Sequence, residues 1–401
     1  MNFDFTSTID RYGKDAAAVD ALGRWEIAPS GPREGFDFLP MWVADMNFAT
    51  APSITEAITE RVRHPLFGYF SPRQEYYDAI IRWQEARNGM EGLKKEHIGY
   101  ENGVLGGVVS AVRSYAEPGD HILVHSPTYI GFIGSLEGNG YHIVYSPLVK
   151  DEQGIYRMDY QDMEEKIRTY KIRLAVFCSP HNPTGRAWER EELQKAAGIF
   201  EQNRVRVISD EIWSDLLLNG NRHIPFAMVS DYARENTASF YAPSKTFNLA
   251  GLVGSYHIIF NEEMRDRIRR HADRTHYNGM NVLSMYALIG AYSPGGEEWL
   301  ARLLEVLSDN VNYACGYIRD HFQEIEVTRP EATYMLFLDA EKWCKKHNKT
   351  VRDLLQAGWD VGVGWQDGVA FKGPFHIRMN LALPYSMLEE AMRRLSEYVF
   401  L

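Results

Sequence analysis

Between about residue 50 and residue 290, short apolar runs alternate with stretches whose apolar positions recur every three or four residues. HILVHSP (121–127), IRLAVFCSP (172–180), VRVISDE (205–211), ASFYAPSK (238–245) and GSYHIIF (254–260) are rich in β-branched or aromatic residues and predict strands. In SITEAITERVRH (53–64), Ile54, Ala57, Ile58 and Val62 share one helical face. In EELQKAAGIFEQN (191–203), Leu193, Ala196, Ala197 and Phe200 do the same. Both read as helices covering the sheet. This alternation predicts an α/β fold with a mainly parallel central sheet and crossover helices. From Glu297 onward the pattern changes to a long amphipathic helix, then FQEIEVTRP, then ATYMLFLDA, then two helices enclosing HIRMNLAL. The expectation is a large domain over 46–290 and a smaller α+β domain formed by the chain ends, 1–45 and 291–401.

Composition narrows the function classes. Of 401 residues, 45% are hydrophobic and 24% charged, as in an ordinary globular chain with a large core. The net charge of −11, with both signs mixed along the length, speaks against nucleic acid as a partner. Cys178, Cys315 and Cys344 are an odd, widely spaced set, which predicts a reducing compartment and no structural metal. MNFDFTSTIDRYGKD has no basic region followed by an apolar one, and no apolar run approaches membrane-spanning length. A cytoplasmic protein without a membrane partner is expected.

Three polar residues follow three of the strand-like runs: Asn182 in SPHNPTG, Asp210 in ISDEIW and Lys245 in YAPSKTFN. Open α/β sheets bind ligands beyond the carboxyl ends of their strands, so one site can hold all three. Each also has a blander role: NPTG as a turn, DE as a helix cap, SKT as surface. Together they suit one chemistry. A lysine forms a Schiff base with a carbonyl cofactor and, displaced by a substrate amine, becomes a base beside Cα. An aspartate favours a protonated pyridine ring, which accepts the electrons left at Cα. An asparagine amide donates to a phenolate oxygen.

The ordered series LPMWVADMNF, FGYFSP, SPHNPTG, SDEIWSD, APSKTFNLAGL, PEATYMLFLD and IRMNLALP, running from Leu39 to Pro384, resembles the pyridoxal-phosphate enzymes of fold type I. Within that aspartate-aminotransferase superfamily it is similar to the bacterial cystathionine β-lyases and cysteine-sulfur lyases. The resemblance implies pyridoxal 5'-phosphate as cofactor and an amino acid as substrate. It implies Lys245 as the Schiff-base lysine, Asp210 as the pyridinium partner, Asn182 on the phenolate oxygen and Tyr129, in HSPTY, stacked on the ring. The phosphate is expected at ENGVLGG, on the backbone N–H groups of Val104 and Leu105, with the Ser244 hydroxyl adding to it. Arg378, in HIRMNLA, corresponds to the arginine that clamps the substrate α-carboxylate. Tyr69, in FGY, resembles the tyrosine that reaches the phosphate of a neighbouring subunit, which implies a homodimer with shared active sites. By residue type alone Tyr129 also reads as a core or rim tyrosine, Tyr69 as core, Ser244 as a helix cap and Arg378 as surface.

The sequence departs from the branch at three places. Asn47 and Trp213 stand where it commonly has DMDF and DEIH, and Ala242 stands where related enzymes often place a phosphate-binding serine. Trp213 keeps an indole N–H donor at the position facing the phenolate oxygen but cannot accept a proton. Asn47 removes a negative charge near the substrate entrance or serves as a buried cap. The expected activity is α,β-elimination from a cysteine-type substrate to thiol, pyruvate and ammonia. The alternatives are an aminotransferase and a cofactor-bound regulatory protein.

Overall fold

The computed structural model describes residues 3–400, and the chain falls into two compact units. The larger comprises 50–181 and 186–301. Its strands are β1 (Ile98–Asn102), β2 (His121–Ser126), β3 (His142–Lys150), β4 (Tyr156–Met158), β5 (Leu174–Cys178), β6 (Arg206–Asp210), β7 (Thr237–Tyr241) and β8 (Gly254–Ile258). They form one sheet in the order β1-β8-β7-β6-β5-β2-β3-β4. The central strands β3, β2, β5, β6 and β7 run parallel, and both margins are antiparallel.

Both faces of the sheet are covered, which is why its strands read as near-continuous apolar runs. Alternate residues serve two cores: Leu123, Ala175, Phe177 and Val207 one side, Ile122, Val124, Val176 and Ile208 the other. The helix Arg190–Asn203 brings Leu193, Ala196, Ala197 and Phe200 to the first core. The helix Val104–Tyr115 brings Val104, Val108, Ala111 and Val112 to the second. Each fully buried Leu, Ile, Val or Phe among them contributes roughly 1.5–3 kcal/mol through its apolar surface.

Two expectations change in detail. GSYHIIF is a strand, but β8 runs antiparallel to both its neighbours. Residues 242–253 between β7 and β8 contain only the short turns Pro243–Thr246 and Ala250–Leu252, too little for the crossover that a parallel return requires. The helix Pro52–Arg63 packs on another helix, Val282–Ala291, rather than directly on the strands. A Cβ at Gly290 would meet Ser53 and Ile54 backbone, and Ser53 Oγ donates to Gly290 O at 2.9 Å.

The second unit comprises 3–49, 182–185 and 302–400 among the described residues. Four antiparallel strands lie in the order Glu326–Val327, Met335–Asp339, His376–Asn380, Gln366–Asp367. Separately, Leu39–Pro40 pairs in parallel with Val363–Gly364. Along the helix Pro294–His321, Leu303, Leu307, Val311, Ala314 and Ile318 recur on one fully buried stripe. Thr350 and Asp353 form a reciprocal capping box at the start of Val351–Asp360. The divisions between the units fall at 49/50, 181/182, 185/186 and 301/302. The last of them lies inside the helix Pro294–His321, where the hydrophobic pattern gives no sign of it. Among the described residues no helix is long and apolar enough to cross a membrane.

Candidate active site

After β2 the chain moves outward to β3 and β4 before returning to β5 on the other side of β2. This reversal opens a crevice beyond the carboxyl ends of the parallel strands, where sheets of this kind bind ligands. Tyr129 follows the end of β2, Asp210 is the last residue of β6, and Lys245 lies in the turn after β7. The large unit thus carries an aromatic face, a carboxylate and an amine at three strand ends.

Asp210 is buried, and its Oδ1 accepts a hydrogen bond from Ile212 N at 3.0 Å. Burial pushes its carboxyl up to about 7, against the opposing pull of that hydrogen bond and of the Lys245 charge. The DE pair caps no helix. Glu211, fully buried, instead accepts from Ser209 Oγ (2.9 Å), Ser239 Oγ (3.1 Å), Tyr241 Oη (2.7 Å) and Phe226 N (3.2 Å), and lies 2.6 Å from His223 Nε2. One carboxylate thereby ties β6 and β7 to the following loop directly behind Asp210.

The Lys245 turn is pinned through its neighbour. Thr246 Oγ1 donates to Asp215 Oδ2 at 3.0 Å, and Asp215 Oδ1 accepts from Trp83 Nε1 (2.9 Å) and Arg87 Nε (3.1 Å). Lys245 Nζ sits 5.8 Å from the centroid of the buried Trp213 ring, within cation–π reach. Ser244 lies inside this turn, where its carbonyl accepts from Leu249 N; it is not the cap, which is Ala242. Tyr129 is half-buried and edge-on to Phe132, and a Cβ at Gly131 would collide with its ring.

Gly103 caps the helix Val104–Tyr115 with φ of 76°, a conformation that favours glycine, and no side chain caps its N–H groups. Those of Val104 and Leu105 have no partner within the helix by its geometry. Tyr277 supports this turn by donating from Oη to the carbonyls of Asn102 (3.1 Å) and Gly103 (3.3 Å), and a Cβ at Gly106 would strike the same hydroxyl. Tyr69 is not core: it is fully exposed, beside exposed Leu66, Phe67 and Phe70. Phe67, Gly68, Tyr69, Phe70, Pro72 and Met280 line an open groove of about 430 Å³.

In the second unit, Arg378 is buried rather than on the surface. Its Nη1 donates to Asn182 Oδ1 (3.3 Å), and its Nη2 donates to Trp42 O (3.0 Å) and Gln366 Oε1 (2.5 Å). With Oδ1 turned to Arg378, the Asn182 amide N–H groups are what that side chain offers a ligand. Asn47 is not a helix cap: Oδ1 accepts from Arg11 Nη1 at 2.9 Å, and Nδ2 donates to Pro40 O at 3.3 Å. Glu211, Asp215, Tyr277 and Gln366 were not foreseen. Only Glu211, beside Asp210, carried a visible signal.

The family model for aminotransferase class I and II matches residues 39–395. This chain belongs to that family. Cystathionine β-lyase PatB of Bacillus subtilis (strain 168) is 35% identical over 362 residues, 90% of this chain and 92% of PatB. Protein MalY of Escherichia coli (strain K12) is 31% identical over 394 residues, 97% of each chain. The solved structure of the pyridoxal-phosphate-bound C–S lyase from Staphylococcus hominis superposes with a TM-score of 0.88 at 31% identity, covering 99% of this chain and 98% of that one.

The family depends on pyridoxal phosphate, and the large unit's residues fit that group. A carboxyl pushed up to about 7 is poorly stabilised as an anion where it stands, so a cationic ring N–H is the partner its surroundings favour. An uncapped helix start behind an obligatory glycine suits the phosphate, and a lysine stands one strand from the carboxylate.

Proposed function

We propose that the protein is a pyridoxal-phosphate-dependent cysteine-sulfur lyase: R–S–CH2–CH(NH3+)–COO− and water give R–SH, pyruvate and ammonium. The observation carrying this reading is the pair of Lys245 and buried Asp210 on neighbouring strand ends, in a chain whose relatives include a cystathionine β-lyase and a C–S lyase. When bound, the cofactor supplies an electron sink for the pair released at Cα.

Lys245 Nζ would be the attachment point for the cofactor, and as a free amine it would accept the Cα proton of the bound substrate. The same group, now an ammonium, delivers a proton to the sulfur as the Cβ–S bond breaks. Asp210 would keep a proton on the ring nitrogen. Val104 N, Leu105 N and the Ser244 hydroxyl would hold the phosphate, and Tyr129 would offer its aromatic face to the ring. Asn182 and the indole N–H of Trp213 would donate to the ring oxygen. Arg378 would pair with the substrate α-carboxylate and so hold the amino acid in one orientation.

A panel of S-substituted cysteines and unsubstituted amino acids, assayed separately for pyruvate, ammonia and the substrate's own keto acid, tests the reaction. Pyruvate and ammonia in equal amounts from the sulfur substrates are expected. Keto acid formation, dependent on an added acceptor, would make the protein an aminotransferase.

Tyr69, fully exposed within an apolar segment, supports a homodimer in which it completes the partner's phosphate site. Tyr69→Phe then weakens cofactor retention. Mixing Tyr69→Phe with Lys245→Ala under conditions of subunit exchange restores part of the lost activity. A fully active monomer in sedimentation would rule this arrangement out.

A further inference from the structure

We propose that Gln366 is a positioning residue for the substrate carboxylate, acting through Arg378. This rests on the reading of Arg378 as the carboxylate clamp. Gln366 and Arg378 are direct partners across the antiparallel ladder of Gln366–Asp367 and His376–Asn380, and both are buried. Cross-strand partners project to the same face, so their side chains meet without spanning a gap. The contact is Arg378 Nη2 to Gln366 Oε1 at 2.5 Å. A guanidinium can only donate, so it is the amide oxygen that faces it. Trp42 O takes a second bond from Nη2, Asn182 Oδ1 takes one from Nη1, and Phe371 stacks with its ring centroid 4.4 Å from Cζ. The flat group is thus fixed in plane and in rotation.

The choice of an amide has a consequence that packing alone does not. Glutamate has the same length and shape and would accept the same hydrogen bond. It would also place a negative charge against the guanidinium and repel a substrate carboxylate arriving at the same group. Glutamine orients the clamp and leaves its charge for the ligand.

The test uses the holoenzyme with Gln366→Glu, Gln366→Asn and Arg378→Gln. The substrates are S-methyl-L-cysteine and its α-carboxamide, and the unreactive probe is 3-(methylthio)propionate, which has neither amine nor thiol, measured by calorimetry. Gln366→Glu is expected to raise KM for the carboxylate substrate, and the probe's dissociation constant, by about 10- to 100-fold, the equivalent of one charge-assisted hydrogen bond. It should raise KM far more than it lowers kcat and leave KM for the carboxamide near that of the parent. Gln366→Asn keeps the neutral amide on a shorter arm and should give a smaller rise with the same selectivity. If Gln366→Glu does not fold, Gln366→Asn decides: carboxylate-selective weakening at an unchanged melting midpoint supports the proposal, and unchanged probe affinity overturns it. Equal losses on carboxylate and carboxamide would mark Gln366 as structural only. Arg378→Gln separates the two layers. If it leaves probe affinity intact, the clamp reading itself is wrong; if it weakens the probe while Gln366→Glu does not, only the role of Gln366 falls.

Discussion

Lys245→Ala lowers kcat by about 10²- to 10⁴-fold, the range spanned by loss of a positioned acid–base group, and leaves a folded protein that still takes up the cofactor. The turn that carries this residue is held by Thr246, Asp215, Trp83 and Arg87, none of which depends on the lysine side chain. Removing Nζ therefore deletes the attachment point and the base without loosening the backbone that presents them. Borohydride treatment of the parent holoenzyme, followed by peptide mapping, should place the cofactor mass on the peptide containing Lys245. An adduct on a different lysine, or a Lys245→Ala enzyme with parental turnover, would remove the central assignment.

Asp210→Asn moves activity and stability in opposite directions. The substitution removes the charge that holds a proton on the ring nitrogen, and a fall in kcat of about 10²- to 10³-fold is expected, the scale of losing one preorganised electrostatic contact. In the cofactor-free protein the same carboxylate is a cost. Its pKa is raised from 3.8 to about 7 by burial, so the native state binds more protons than the unfolded state between these values. Stability of the cofactor-free protein therefore falls as pH rises through that window. The penalty is fully present above about pH 7 and absent below the unfolded value, and it amounts to about 4 kcal/mol at most. Asparagine carries no such penalty. Cofactor-free Asp210→Asn should melt above the parent at about pH 8, with the gap shrinking at about pH 5. A variant that melts no higher than the parent at the upper pH would contradict the idea that burial strains this carboxylate.

The fold was largely legible because both faces of the central sheet are buried: β2, β5, β6 and β7 announce themselves as apolar runs, and the helix Arg190–Asn203 shows its buried stripe in its spacing. Two strands were harder. β3, which lies between β2 and the edge strand β4, alternates buried and exposed positions and contains Pro147, while the edge strand β1 carries Gly99 and the buried Glu101, so neither has the composition of a core strand. In the site, Asp210 and Lys245 stood out as polar residues at the ends of apolar runs. Glu211 shares that position, but its five donors come from residues up to 30 positions away, which local spacing does not reveal. Gln366 belongs to a strand of two residues, too short to show any period, and its significance depends on a ladder partner 12 positions on. Tyr277 supports the turn after Asn102 from about 175 positions away.

The pairing of Leu39–Pro40 with Val363–Gly364 also sets an order of events during synthesis. All of residues 50–301 can leave the ribosome and assemble their sheet while residues 3–49 still lack the strand they pair with, which follows about 320 residues later. At ribosomal rates of about 5–20 residues per second, that interval is on the order of tens of seconds. During it Phe38, Leu39, Met41 and Trp42, all buried in the finished protein, have no completed unit to enter. The nascent chain therefore carries an unburied apolar segment at 38–42 throughout that interval, and the second unit closes only when residues 302–400 emerge.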